Sequence, residues 1–189
     1  MPHDQLIKLS SMLALAGVGM LTLTATFGGL LVSQTTQKIN LTKGQTFKYH
    51  RLMAILGAVL VLLHPVPLGF AHTTTGISVA SIFIPFLAEK KVIIVAVGVM
   101  ALDILLIVLL SSLYMRYLKQ KLWRILHYGS YLFFCLGFWH GLSISDRFEL
   151  NAEVNFLAPK KVILELEVAV LLMVVGWRII LHQNRRKSV

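Results

Sequence analysis

The chain has 189 residues, 57% of them hydrophobic, with a mean hydropathy of +0.77 and only 14% charged. Ordinary globular domains use roughly 45–50% apolar and about 25% charged residues. With its apolar residues gathered in long blocks, this composition excludes a soluble enzyme and a disordered chain. The formal net charge is +10, but the bases flank apolar blocks, which reads as membrane topology rather than nucleic-acid binding. The single cysteine, Cys135, excludes an intrachain disulfide framework, a c-type haem motif and an iron–sulfur site built by this chain alone.

Five apolar blocks follow in chain order: Leu9–Val32, Leu52–Phe70, Val92–Leu113, Leu122–Leu142 and Val162–Leu181. Each holds roughly 20 residues, about 30 Å of helix. Their apolar runs are continuous rather than alternating, so helices are expected and not a barrel. The expected fold class is all-α, a polytopic membrane bundle of five transmembrane helices. The first block follows Lys8 as a signal peptide would, but its core is too long and Ser33-Gln34-Thr35 offers no cleavage site. It is expected to be a retained helix. Ile77–Ala88 is apolar but too short to span and contains Pro85; an interfacial or re-entrant segment is expected there.

Five spans would place Lys38, Lys43, Lys48, Arg51, Arg116, Lys119, Lys121, Arg124, Arg178, Arg185, Arg186 and Lys187 on one side. Lys8, Lys90, Lys91, Arg147, Lys160 and Lys161 fall on the other, with Asp4, Glu89, Asp146, Glu149 and Glu153. The positive-inside rule then puts the N-terminus outside and the C-terminus in the cytoplasm. The expected location is a cell membrane, that of a bacterium's inner membrane.

Two segments nearly repeat. Phe86-Leu87-Ala88-Glu89-Lys90-Lys91-Val92-Ile93 and Phe156-Leu157-Ala158-Pro159-Lys160-Lys161-Val162-Ile163 agree at seven of eight positions. Each opens an apolar block, which suggests two parallel copies of one hairpin related about the membrane normal. The expected organisation is one domain over 1–189, with a peripheral helix at 9–32. Hairpin repeats at 48–113 and 122–181 form a four-helix core, and 182–189 is a basic cytoplasmic tail. Convergence of short interfacial sequences is the alternative for the repeat.

Four histidines organise the chemistry. His50 and His64 are 14 residues apart at the second block, and His127 and His140 are 13 apart in the fourth. At about 1.5 Å per residue the intervals are about 21 Å and about 20 Å. Both blocks would run in the same direction, so His50 meets His127 near one membrane edge and His64 meets His140 near the other. Two trans imidazoles suit a six-coordinate electron-transfer haem. A zinc or iron site made by protein alone fits worse, because such metals take three or four clustered ligands. Fourteen residues return to within about 40° of the same helix face, whereas thirteen miss it by about 140°. Helix arithmetic therefore explains the first spacing and not the second. Packing histidines and a metal-transport pathway are the alternatives.

The run His50-Arg51-Leu52-Met53-Ala54-Ile55-Leu56-Gly57, continuing to Leu63-His64-Pro65, resembles the first ligand helix of the ferric reductase-like transmembrane domain. Trp123-Arg124-Ile125-Leu126-His127-Tyr128 with Phe138-Trp139-His140-Gly141 resembles the second. Ferric reductases and NADPH oxidases share that domain, and the resemblance covers roughly residues 10–182. It implies two b-type haems, one between His50 and His127 and one between His64 and His140, with electrons passing outward from the cytoplasm. The chain ends eight residues after Leu181 and has no Gly-x-Gly-x-x-Gly fingerprint. FAD or FMN is therefore expected only through a partner: a cytoplasmic flavin reductase, or else a membrane quinol, would be the donor.

Among supporting residues, Arg51 and Arg124, with Lys48, are candidates to meet haem propionates. Phe133 falls between the two histidine levels and is expected to fill the space between them, with Phe134 facing elsewhere. His72 is a candidate outer-site residue. Asp103, Glu165 and Glu167 are ionisable groups within apolar blocks, Tyr128 and Trp139 suit interface anchors, and Cys135 suits core filling. His3 and His182 carry little signal, and the Arg185-Arg186-Lys187 tail suits anionic lipid. The leading functional expectation is a dihaem transmembrane oxidoreductase that reduces a ferric chelate, oxygen, a quinone or an extracytoplasmic redox partner. The alternatives are a non-catalytic haem-bearing anchor or relay subunit, and a haem-free transporter or structural membrane protein.

Overall fold

The computed structural model describes residues 3–32, 41–144 and 157–187. All of its regular structure is helical. The long helices are α1 (His3–Val32), α2 (Lys43–Leu63), α5 (Val92–Leu113), α6 (Gln120–Ser143) and α7 (Pro159–Lys187). Two short helices, α3 (Val66–Phe70) and α4 (His72–Thr75), follow α2, and single 3-10 turns lie at Ala80–Ile82 and Met115–Tyr117.

Local chemistry sets the boundaries. α2 begins well before its apolar block because Thr42 and Gln45 form a reciprocal capping box. The Thr42 hydroxyl accepts from the Gln45 backbone N–H, and the Gln45 side chain accepts from the Thr42 N–H. His50 is thereby two turns inside a helix. At the other end Pro65, which has no backbone N–H to donate, separates α2 from α3 just after His64. α5 coincides with its apolar block.

Five spans were expected; among the described residues three helical stretches have the length and apolar composition to cross a membrane, His3–Leu31, Lys43–Phe70 and Val92–Leu113. The all-α class holds, and the span count is corrected to three. In α6 the apolar run is diluted by Arg124, His127, His140 and a series of Tyr, Trp, Ser and Gly positions. In α7 Glu165, Glu167 and Arg178 interrupt it. Ionisable groups are the costliest residues to place in hydrocarbon, so length alone overstates such segments.

The N-terminal helix is not peripheral either. α1 lies along α2, and the two backbones approach closely at Gly17 and Gly57. A Cβ on Gly17 would stand 3.1 Å from the Gly57 carbonyl oxygen, and one on Gly57 would stand 3.0 Å from the Gly17 carbonyl oxygen. Small residues at such a crossing let membrane helices pack by van der Waals contact. α5 pairs with α6, and α7 packs chiefly on α1. The intimate hairpins are thus α1–α2 and α5–α6. The second copy of the sequence repeat begins at Phe156, outside the described residues.

One apolar core joins the helices, with Leu21, Val61, Leu102, Phe133, Phe138 and Leu164 among its buried members. A smaller cluster seats the 71–91 connection, where Ile77, Ile82 and Ala88 pack on Leu68, Val95 and Val99. Val79, Phe83 and Phe86 of that segment are exposed, as is Phe70 at the end of α3. Lys161, at the start of α7, is buried and donates to the carbonyls of Gly141, Leu142 and Ile144 at the end of α6.

Candidate functional site

The four histidines of α2 and α6 meet in two pairs. The rings of His50 and His127 have centroids 6.3 Å apart at an interplanar angle of 56°. Those of His64 and His140 are 6.4 Å apart at 66°. The helix rise over the 14 residues from His50 to His64 puts the levels about 21 Å apart. The 13-residue spacing on α6 does reach both partners.

The neighbouring helix of each hairpin orients the rings. His50 Nδ1 lies 2.8 Å from the Thr24 carbonyl oxygen of α1, and His140 Nδ1 lies 2.8 Å from the Ile94 carbonyl oxygen of α5. His64 Nδ1 lies 3.0 Å from the Ser10 carbonyl oxygen and 2.8 Å from the Ser10 hydroxyl. A carbonyl only accepts, so these three nitrogens carry the proton and donate it. In the neutral ring Nε2 then holds the lone pair, the arrangement seen when histidine is prepared as a ligand. His127 differs: its Nδ1 lies 3.3 Å from the Ser112 hydroxyl of α5. Its ring stacks on Trp123, with centroids 5.2 Å apart at 24°.

A cavity of about 180 Å³ opens at the second level, bordered by His64, His140, Phe133, Gly137, Lys160 and Lys161. Phe133 is buried and reaches this cavity, with its ring 5.3 Å from that of Phe134, which is buried in the core as well. Lys160 donates to the Ser11 hydroxyl at 2.8 Å.

Arg51 and Arg124 are exposed. Arg178 is the cation whose charge acts on His127, and it donates to the Tyr131 hydroxyl at 2.7 Å. Sequence reasoning passed over Arg178 because it is more than fifty residues away from His127 and approaches from α7. Trp123 was noted only as part of a motif; its spacing of four residues before His127 puts both on one helix face. His72 sits in the connection after α3, 3.5 Å from the Glu89 carboxylate. Glu165 is exposed, whereas Glu167 and Asp103 are half-buried. Tyr128, Trp139 and Cys135 are exposed, the last contrary to a core-filling role. His182 and the Arg185-Arg186-Lys187 side chains lie outside the described residues.

The expectation of two b haems is corrected. Among the described residues there is no group of three or more His, Cys, Asp or Glu side chains that could hold a metal ion. Protein donors come only in twos here, and a metal held by protein alone takes three or four.

No curated protein and no solved structure matches the chain. A family model described as ferric reductase like transmembrane component matches residues 10–138. The match takes in α2, α5, and most of α1 and α6, with His50, His64 and His127; His140 lies just beyond its end. Its coverage of more than half of the sequence, joined to a helical bundle with membrane-length helices, places this chain in the ferric reductase like transmembrane component family.

Proposed function

We propose that this protein is the membrane electron-transfer component of an oxidoreductase, moving electrons between the two faces of a membrane by way of a redox carrier that its paired histidines would hold. The observation that carries this reading is the double pairing, His50 with His127 and His64 with His140, at two depths of one helical bundle. The carrier would take electrons up at the His50/His127 level and give them out at the His64/His140 level. Arg51, Arg124 and Arg178 give the entry end its positive charge, and Phe133 occupies the apolar space beside the exit level. His72 stands in the connection at the exit end.

The protein's own work is orientation and insulation. Main-chain carbonyls hold three of the imidazoles in one tautomer, so their Nε2 lone pairs need no rearrangement when a redox carrier is engaged. The apolar core around Phe133 and Leu102 keeps water from the path between levels. Orientation follows the bases: Lys43, Lys48, Arg51, Arg116, Lys119, Lys121 and Arg124 gather at the His50/His127 end, which by the positive-inside rule faces the cytoplasm with the N-terminus outside. The donor is a cytoplasmic flavin reductase or a membrane quinol. The acceptor is extracytoplasmic, a ferric chelate or a redox partner protein.

The test uses vesicles containing the purified protein, loaded with a membrane-impermeant reductant and offered an external ferric chelate. Reduced-minus-oxidised spectra and metal analysis identify the carrier in the same samples. Wild-type vesicles are expected to reduce the chelate, and His64→Ala and His127→Ala vesicles to fall to the rate of protein-free vesicles. Wild-type flux in both variants would overturn the reading.

A further inference from the structure

The histidine helices are α2 and α6, but the groups that fix their rings belong to α1 and α5. Each ring bonded to a main-chain carbonyl has a small residue one helical turn further along the same neighbouring helix. His50 is held by the Thr24 carbonyl and lies against Gly28, where a Cβ would stand 3.3 Å from His50 Cε1 and 3.4 Å from Nδ1. His140 is held by the Ile94 carbonyl and lies against Gly98, where a Cβ would stand 2.7 Å from both Cε1 and Nδ1. His64, held by the Ser10 carbonyl, shares its cavity with Ala14 four residues on. His127 has Ser112 itself at Nδ1.

These small residues keep a common register. Ala14 and Gly28 are fourteen apart on α1, and Gly98 and Ser112 are fourteen apart on α5. Fourteen residues bring a helix back to nearly the same face. α1 and α5 therefore each present two imidazole seats on one side, matched to the two histidine levels.

We infer that Gly98 is a positioning residue for His140, and Gly28 a looser counterpart for His50: each leaves a bare helix surface on which the imidazole lies while its Nδ1–H is donated to the carbonyl one turn earlier. A separation under 3.0 Å cannot be absorbed without movement, and at Gly98 the obstacle is the ring itself together with its bonded nitrogen. Alanine there pushes the ring off the Ile94 carbonyl. At Gly28 the ring needs to yield only a few tenths of an ångström. That moving the ring shifts the potential of a carrier held there rests on the proposed function; the ring geometry does not.

The experiment is nitrogen-15 NMR of histidine-labelled full-length protein in lipid nanodiscs, read in parallel with the carrier's midpoint potential. Gly98→Ala is expected to remove the signature of a protonated, carbonyl-bonded Nδ1 at His140 and to leave His50 and His64 unchanged. Gly28→Ala is expected to shift the His50 resonance without losing it. Gly176→Ala, where a Cβ meets nothing within 4 Å, is the control and changes none of them. An unaltered His140 resonance in Gly98→Ala overturns the inference, as does a loss of the same size in Gly176→Ala. If Gly98→Ala does not fold, an unshifted His50 in Gly28→Ala overturns it. Absence of any redox-active signal in the wild type would instead count against the electron-transfer reading, while the ring resonances still report on the seats.

Discussion

Replacing Lys161 by methionine removes a buried ammonium but keeps most of the apolar stem. The wild-type group is 6% exposed and donates to the carbonyls of Gly141, Leu142 and Ile144. α6 ends at Ser143, so these are the carbonyls that a helix C-terminus leaves without intrahelical partners, and the positive charge also opposes the negative end of the helix dipole. A hydrogen bond to a charged group is worth about 1.5–3 kcal/mol net, and three bonds to one ammonium do not add fully. Relief of the ammonium's desolvation and rehydration of the carbonyls return part of the loss. The expected destabilisation is about 3 kcal/mol. Reversible unfolding in mixed micelles, followed by the fluorescence of Trp123 and Trp139 on α6 and Trp177 on α7, measures it. A loss below about 0.5 kcal/mol, the range of an ordinary surface substitution, would refute the claim that this lysine fastens α7 to the end of α6.

Gly57→Ala crowds the α1–α2 crossing, where a Cβ would stand 2.8 Å from Leu21 Cγ and 3.0 Å from the Gly17 carbonyl; the same unfolding assay should show a loss of about 1–3 kcal/mol. Phe133→Ala empties a buried core position beside the cavity and is expected to cost about 3–5 kcal/mol. Thr42→Ala dismantles the capping box and should weaken the start of α2 by about 1 kcal/mol, visible as faster amide exchange at residues 43–46. Glu89→Gln removes the carboxylate that lies 3.5 Å from the His72 ring, a contact open to solvent on both sides. Its effect on stability is expected to stay below about 1 kcal/mol in the same unfolding assay.

The helices were legible because apolar runs this long leave the backbone no other way to satisfy itself in hydrocarbon; Val92–Leu113 matches its block end for end. The beginning of α2 was missed because its first turns are polar, although the Thr42-x-x-Gln45 cap was there to be read. The number of spans was overread by weighing length ahead of the charges in α7 and the polar aromatics of α6. The histidine pairs were legible from spacing and direction, even where the angular arithmetic for His127 and His140 did not close. That arithmetic treats α6 as an isolated straight rod, whereas the ring positions are settled by seats on α5. The seats themselves were illegible. A carbonyl carries no sequence signature, and Gly28 and Gly98 gain meaning only once their helices are known to lie beside histidines far along the chain. Arg178 was hidden for the same reason.

The division of labour among the helices has a consequence for assembly. Each histidine is aimed by the helix that immediately precedes its own long helix in the chain, α1 for α2 and α5 for α6, whereas each imidazole pair joins the two hairpins. All four rings can be set within local, sequence-adjacent units before the halves meet. Biogenesis then reduces to docking two ready-made half-sites, and a chain severed in the 71–91 connection should still regain both pairs when its pieces are made together.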